Sequence, residues 1–177
     1  MITKDNNLRV MESFFRYPHR SFHIRELSRI TGLSSTGIIK IVKKLKKEKL
    51  LVSRKLINFE EIRPDFEGKF LPMKRLYNVY SIYECGMITY LKKFYEMPQS
   101  IVLFGSYSEG MDTEKSDIDI AIISKAFPKR TPDLEKFESK LARKVNVHIV
   151  NLRTAAKEFR NSLANGIVLE GFAEFVS

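Results

Sequence analysis

The residues best suited to chemistry lie in one short stretch, LFGSYSEGMDTEKSDIDIAII, at residues 103–123. A glycine such as Gly105 lets backbone N–H groups approach an anion closely, and Ser106 adds a hydroxyl donor. Two carboxylates on one strand face, Asp117 and Asp119, repel each other unless a cation lies between them, and a hard divalent ion is the simplest candidate. The stretch predicts a site for phosphate and a divalent metal; a polar turn between buried strands is the alternative.

The same residues, GSYSEGMDTEKSDIDI, resemble the active-site motif of the DNA polymerase β-type nucleotidyltransferase superfamily, especially its minimal members. Ten residues separate the Gly-Ser pair from the Asp-x-Asp pair. The resemblance implies a small mixed sheet flanked by helices, in which Gly105 and Ser106 hold nucleotide phosphates and Asp117 and Asp119 bind Mg²⁺ or Mn²⁺. It also implies an NTP as substrate or ligand, with nucleoside monophosphate transfer and release of pyrophosphate.

Active members of that superfamily usually supply a third carboxylate from a later strand, and here the sequence departs from the pattern. The corresponding strand is KVNVHIVN, residues 144–151, and Asn146 stands where the acid is expected. An amide neither accepts a proton nor neutralises a metal's charge. His148, on the same strand face, is either a substitute base or ligand, or an ordinary hydrogen-bonded side chain. The sequence therefore supports metal–nucleotide binding more firmly than turnover.

Buried strands are expected around these residues. Four consecutive apolar residues precede Gly105, which is typical of a strand buried on both faces. Alternation in SDIDIAIIS directs Asp117 and Asp119 to one face and the isoleucines into the core. Residues 152–177 predict a helix that stops at Asn165-Gly166, followed by a short apolar tail on the sheet.

Charge is unevenly distributed along the 177 residues. The formal net charge is +10, and residues 1–97 hold 20 Lys and Arg against 10 Asp and Glu, whereas residues 98–177 hold 11 of each. This asymmetry predicts two functional units with a polyanion as partner of the first, although a solvated lysine-rich face gives the same composition. The lone Cys85 excludes an internal disulfide, and no apolar run could span a bilayer or direct export. We expect a cytoplasmic protein without membrane association.

A helix-turn-helix pattern occupies the first half. The stretch IRELSRITGLSSTGIIKIVKKLKKEKLLV resembles the winged-helix domains of bacterial and archaeal transcription regulators, over roughly residues 5–80. The resemblance implies that the second helix of the motif enters the major groove of double-stranded DNA. It also implies a wing, formed by residues 50–59 and 75–80, that touches the phosphates; contacts to protein instead of DNA are the alternative. The implied DNA-binding residues are Ser35, Thr36, Lys40, Lys43, Lys44 and Lys47 on the helix and Arg54, Lys55, Lys74 and Arg75 on the wing.

Residues 81–97 connect the two halves and carry an apolar stripe at helical spacing, consisting of Tyr83, Met87, Tyr90, Leu91 and Phe94. We interpret this segment as a linker helix that buries its stripe in a homodimer. The predicted organisation is α+β, with a winged-helix domain at 1–80, the linker helix at 81–97 and a minimal nucleotidyltransferase domain at 98–177.

Three functions fit these patterns. The first is a DNA-bound enzyme that transfers a nucleoside monophosphate to an unknown acceptor. The second is a transcription regulator whose nucleotidyltransferase domain, impaired at Asn146, senses a nucleotide or mediates assembly. The third is an antitoxin-like nucleotidyltransferase that acts on a partner protein, because small members of the superfamily are often paired with one.

Overall fold

The computed structural model describes residues 5–57, 59–124 and 130–174. It divides into two compact units, Met1–Lys74 and Arg75–Ser177. Asn58 of the predicted first wing strand and residues 175–177 of the predicted tail lie outside the described part. Within the described residues, no helix combines the length and the apolar character that a membrane span requires.

Three helices begin the first unit: α1 (Asn6–Arg16), α2 (Ile24–Thr31) and α3 (Ser35–Lys47). The Ser34 side chain caps α3 by accepting a hydrogen bond from the Gly37 N–H at 3.1 Å. Helix α2 ends at Gly32, whose φ of 70° is the left-handed conformation that glycine adopts readily. The predicted helix-turn-helix order is therefore present. Its core is made of almost fully buried side chains: Val10, Phe14, Phe22, Leu27, Ile38 and Leu45.

An antiparallel hairpin follows α3, with strands β1 (Leu51–Lys55) and β2 (Glu60–Pro64). Phe22, between α1 and α2, extends this hairpin through an antiparallel bridge to Ile62, with two backbone hydrogen bonds of 2.9 Å. Lys46 of α3 ties the helix to the hairpin, since its ammonium donates to the Ser53 hydroxyl and, at 3.2 Å, to the Glu60 carboxylate. Hydrogen bonds from Ser53 and Lys46 lower the pKa of the Glu60 carboxyl.

The sequence-based placement of a second wing strand at residues 75–80 is wrong. These residues belong to helix α4 (Phe70–Glu84), and the second hairpin strand is β2. The physical reason is a four-residue period of buried side chains, Phe70, Lys74, Asn78 and Ile82, each at most 2% exposed. Two of the four are polar, so an apolar pattern does not reveal the helix.

The interpretation of residues 81–97 as one linker helix is also wrong. Helix α4 ends at Glu84, Gly86 adopts a φ of 84°, and a separate helix α5 (Met87–Phe94) follows. Met87 and Leu91 of the stripe are fully buried in the core of the second unit, and Tyr90 and Phe94 pack against that core. Four of the five stripe residues are thus used within the chain, whereas Tyr83 is 47% exposed, and the homodimer through this segment stays a prediction.

The second unit contains the small mixed sheet that the sequence predicts. Its strands are β3 (Ser100–Phe104), β4 (Ile118–Ile123), β5 (Val145–Val150) and β6 (Ile167–Gly171), in the order β5-β4-β3-β6. Strand β3 runs antiparallel to β4 and β6, and β4 runs parallel to β5. The connecting helices are α6 (Gly105–Glu109), α7 (Glu135–Leu141) and α8 (Lys157–Ala164). The predicted tail is thus an edge strand.

Helices cover both faces of this sheet. On one face, the isoleucines of β4 pack with residues of α4, α5 and α7, including Ile82, Leu91 and Phe137. On the other face, Val102, Phe104 and Ala121 pack against α8. Along β4, Asp119 alternates with the core isoleucines. Its side chain therefore lies on the sheet face that packs against α8, at the start of the strand.

Candidate active site

Asp117 and Asp119 stand at the start of β4, where the polar loop enters the sheet. Asp119 pairs with Phe104 on β3 in the antiparallel ladder and with Asn146 on β5 in the parallel ladder. Asp117 is exposed and Asp119 is partly buried. The register of three strands therefore brings together the aspartates, the residue before Gly105 and Asn146.

The backbone at Gly105 comes close to the Asp119 carboxylate. The φ of Gly105 is 70°, and a Cβ atom built on this residue would lie 2.9 Å from the Asp119 Oδ2 atom. Any other residue would be strained in this conformation and would also push against the carboxylate. The Gly105 carbonyl accepts a hydrogen bond from the Ser108 hydroxyl at 2.7 Å, within the single turn of α6 that also contains Ser106.

Asn146 links the two aspartates. Its Nδ2 atom donates to Asp117 Oδ2 and to Asp119 Oδ1, each at 3.2 Å. An amide donor between two like charges reduces their repulsion, and hydrogen bonds to charged groups are worth about 1.5–3 kcal/mol. The exposed Asn146 side chain therefore helps to hold the carboxylates together when no cation lies between them.

His148 lies beside Asp119 but is not hydrogen-bonded to it. Its Nε2 atom is 3.7 Å from Asp119 Oδ1, which is beyond hydrogen-bond distance. Edge-on contacts hold the imidazole against Phe104, with ring centroids 5.4 Å apart, and against Phe159, at 6.0 Å. His148 is 45% exposed at its side chain, so the ring is oriented by aromatic packing while part of it faces solvent.

The donor set suits a divalent cation that shares its ligands with a nucleotide. Mg²⁺ is commonly bound by one or two carboxylates together with substrate phosphates and water, which matches Asp117 and Asp119 beside the Gly105 backbone. The described residues contain no group of three or more His, Cys, Asp or Glu able to hold a metal alone. Asp117 and Asp119 alone therefore leave most coordination positions of the ion to phosphate oxygens and water.

Sequence analysis missed a buried polar network behind the Gly-Ser turn. The Asn78 amide of α4 donates to the Tyr107 carbonyl at 2.9 Å and to Asp112 Oδ1 at 2.7 Å. Asp112 also lies 3.8 Å from the Arg143 guanidinium, and both side chains are at least 94% buried. This network connects α6 and the loop before β4 to helix α4, through Asn78, and to the turn before β5, through Arg143. The sequence offers no local signal for it, because the helix face that buries Asn78 mixes polar and apolar residues.

Burial also affects Tyr107, which follows the Gly-Ser pair. Its hydroxyl lies 3.0 Å from the Ser81 hydroxyl of α4. Burial raises the pKa of the Tyr107 phenol to about 12. The neutral phenol thus anchors the inner side of α6.

Only some of the residues predicted to bind DNA lie on α3 and the hairpin. Those on α3, namely Ser35, Thr36, Lys40, Lys43, Lys44 and Lys47, are all exposed, as are Arg54 and Lys55 on β1. Lys74 and Arg75 do not lie on the hairpin because both belong to α4, and Lys74 is fully buried. Their assignment to the wing is wrong.

Residues 87–171 match the family model described as polymerase beta, nucleotidyltransferase. The second unit is a nucleotidyltransferase-fold domain, in agreement with its mixed sheet and flanking helices. This match covers β3 to β6 and the five site residues Gly105, Ser106, Asp117, Asp119 and Asn146.

A relative from Methanocaldococcus jannaschii, named "Putative protein adenylyltransferase MJ1305", is 47% identical over 45 residues. The aligned part is 25% of this chain, which spans only 31% of that protein's length. Two solved structures are also similar. A toxin-antitoxin with AMP-PNP is 29% identical, covering 54% of this chain and 74% of that chain with a TM-score of 0.38. A mutant of the toxin-antitoxin MntA-HpeT is 27% identical, with coverages of 49% and 71% and a TM-score of 0.37.

Proposed function

We propose that the second unit binds a divalent metal–NTP complex and transfers its nucleoside monophosphate to an acceptor hydroxyl. The observation that carries this proposal is the approach of the Gly105 backbone to the Asp119 carboxylate, where an added Cβ would be only 2.9 Å from Oδ2. A phosphate beside this glycine would lie next to both aspartates. Gly105 and Ser106 would bind the phosphates, and Asp117 and Asp119 would bind the metal. The two pairs would thereby form a single site.

Each side chain has a separate task in this proposal. Backbone N–H groups at Gly105 and Ser106, with the Ser106 hydroxyl, bind phosphate oxygens. Asp117 and Asp119 hold Mg²⁺ or Mn²⁺, which when bound neutralises charge on the phosphates during an in-line displacement. Asn146 releases its two hydrogen bonds or turns its amide oxygen toward the site, because an amide oxygen can face a cation whereas the NH2 group cannot.

The acceptor is proposed to be a protein hydroxyl. The supporting observation is the short but 47% identical match to a relative named as a protein adenylyltransferase. The same name favours ATP among the NTPs. Since Asn146 cannot accept a proton, we expect transfer to be slow compared with a site that contains a third carboxylate.

For the first unit we propose a winged-helix domain that binds double-stranded DNA. Its three helices and hairpin have the order of such a domain, and residues 1–74 contain 17 Lys and Arg against 8 Asp and Glu. The exposed lysines of α3 would supply mainly salt-dependent contacts to phosphate, whereas Ser35 and Thr36 at the helix start would read bases.

A second candidate function is a regulator that senses a nucleotide without transferring it. The hydrogen bonds from Asn146 to both aspartates favour this candidate, because they hold the site together without a catalytic base. In that case the nucleotide would act as a ligand that reports to the first unit.

Two measurements on the full chain separate these functions. Calorimetry with Mg²⁺ and ATP tests binding, and the variant Asp117→Ala with Asp119→Ala should lose it; unchanged binding in that variant would refute the site. Incubation with labelled ATP and polypeptide acceptors tests transfer in the wild type and in Asn146→Asp. Binding without transfer by either protein would favour the regulator.

A further inference from the structure

A cleft of about 460 Å³ that is broadly open to solvent and lined mainly by polar and charged residues lies beside Asp117. Its walls are the loop before β4, at residues 114–117, one side of α7 with Glu135 and Ser139, and the turn at residues 142–144 that leads into β5. Pockets of roughly 300–1,000 Å³ are the size class that holds ligands. Asp117 belongs both to this cleft and to the aspartate pair, so the cleft borders the proposed site at Asp117, whereas Gly105, Asp119 and Asn146 do not line it.

The sheet order gives the cleft a defined side. Strand β4 lies between β3, which leads to Gly105, and β5, which carries Asn146. The cleft belongs to the β5 side, because the Lys144 carbonyl on its wall accepts a 2.8 Å hydrogen bond from the Ile118 N–H at the start of β4. Phosphates at Gly105 and an occupant of the cleft would therefore approach the aspartates from opposite sides.

An in-line displacement requires this arrangement, because the attacking oxygen and the leaving pyrophosphate must lie on opposite sides of the α-phosphorus. With phosphates on the β3 side, the attacking hydroxyl must come from the β5 side. Among the described residues that line the cleft, Ala142 alone is apolar, so the lining suits a polar chain better than a nucleobase, whose sites are mostly apolar and aromatic.

The walls are held in place by contacts within the unit. The Glu138 Oε1 atom accepts a 2.9 Å hydrogen bond from the Val145 N–H, and its Oε2 atom lies 3.6 Å from the Lys144 ammonium. These contacts fix α7 against the start of β5. Glu135 and Ser139, one turn apart on the same helix, remain exposed at the cleft and can form hydrogen bonds with a bound chain.

We propose that this cleft binds the acceptor, as a polypeptide segment that presents a Ser, Thr or Tyr hydroxyl next to Asp117. The inference rests on the proposed transferase function. In the step, the acceptor oxygen forms a bond to the α-phosphorus of the NTP and the bond between that phosphorus and the bridging α–β oxygen breaks. The electron pair of the broken bond leaves with pyrophosphate, and the hydroxyl proton passes to water.

The test uses the full chain with Mg²⁺, α-phosphate-labelled ATP and a library of peptides with one central Ser, Thr or Tyr. Ser139→Trp should fill the cleft and lower label transfer to peptides by about a hundredfold, the cost typical of a misplaced reactant. Glu135→Lys, a surface change on the same wall, should also lower transfer. Both variants should bind Mg-ATP as tightly as the wild type by calorimetry. Lys140→Trp, at the next position of α7 but outside the cleft, should transfer at the wild-type rate.

Wild-type transfer rates in both Ser139→Trp and Glu135→Lys would overturn the assignment of the cleft. Label appearing on an oligonucleotide 3′-hydroxyl rather than on peptides, or Mg-ATP binding with no peptide labelled by the wild type, would overturn the polypeptide acceptor while leaving the nucleotide site intact. Loss of Mg-ATP binding in the wild type itself would instead refute the underlying proposed function, and the inference with it.

Discussion

Asn146 lies directly opposite Asp119 in the parallel pairing of β5 with β4, and its amide donates to that carboxylate at 3.2 Å. The same amide donates to Asp117. A neutral donor therefore occupies the position from which a third acid would complete the site. Under the proposed function, the charge at residue 146 should therefore affect the stability of the site, its affinity for the metal and the rate of transfer.

Replacing Asn146 with Asp should change these properties in opposite directions. Asn146→Asp adds a third negative charge and removes two hydrogen bonds, so we expect the free energy of unfolding to fall by about 1–3 kcal/mol without metal. Added Mg²⁺ should restore most of this stability, and transfer of label from ATP should increase. Urea unfolding with and without Mg²⁺ measures the first effect.

Asn146→Ala is the matched control, because it removes the hydrogen bonds without adding charge. It should be destabilised to a similar extent, and Mg²⁺ should restore less of its stability than in Asn146→Asp, because two carboxylates and not three are available to the ion. If Mg²⁺ stabilises both variants equally, residue 146 does not contribute to binding of the ion.

Gly105→Ala tests the close approach of the backbone to the carboxylate. The left-handed φ of 70° should cost about 1–2 kcal/mol of stability for a residue with a Cβ atom, and the new atom would displace Asp119. We expect Mg-ATP affinity to fall in calorimetry as well. Gly86→Ala is matched to it, since Gly86 has a φ of 84° with no atom within 4 Å of an added Cβ. It should be less stable but keep its Mg-ATP affinity; an equal fall in affinity in both variants would refute the role of Gly105.

The exposed lysines of α3 should determine how strongly salt weakens DNA binding. In Lys40→Ala with Lys43→Ala, the slope of log affinity against log salt should become shallower by about 0.9 for each phosphate that the protein no longer neutralises. Lys140→Ala with Lys157→Ala removes the same charge from the second unit and should leave the slope unchanged. Fluorescence anisotropy with a labelled duplex at several salt concentrations measures it. Equal effects of the two double variants would mean that net charge, not α3, controls binding.

Alkaline pH should destabilise the chain through Tyr107. The folded-state pKa of about 12 lies above the ordinary value of 10.0, so the folded protein retains a phenolic proton that the unfolded chain loses. This contribution is complete below pH 10 and is lost as the pH rises toward 12, at most about 3 kcal/mol. Tyr107→Phe cannot ionise, so its stability should decline less than that of the wild type across this interval. Parallel declines in urea unfolding would show that Tyr107 does not contribute.

The sequence indicates the residues of the candidate site more directly than it indicates helix α4. Gly105, Asp117 and Asp119 are local signals, because glycine conformation and strand alternation depend on few neighbours. The helix is different, since its buried face includes Lys74 and Asn78, and polar residues are buried only where tertiary partners exist. The hydrogen bond from Asn78 to Asp112 joins residues 34 positions apart, and no local pattern predicts such a pair.

The second strand of the hairpin is also hard to predict from local sequence composition. Strand β2 has the sequence EEIRP, which has the acids and proline of a loop, yet Ile62 is fully buried and bridges to Phe22. The strand exists because one buried side chain and a distant backbone partner compensate for a poor strand composition.

The pairing of Phe104 with Asp119 in the β3–β4 ladder has a consequence for how related sites are found. This register alone sets Gly105 against the carboxylate, and the number of residues in the intervening loop does not enter into it. Insertions at residues 113–116 would lengthen the loop and change a wall of the proposed acceptor cleft, yet leave Gly105 beside Asp119, whereas one residue inserted within β4 would turn Asp119 to the opposite face. Searches that demand a fixed ten-residue interval will therefore overlook chains whose longer or shorter loops build the same arrangement.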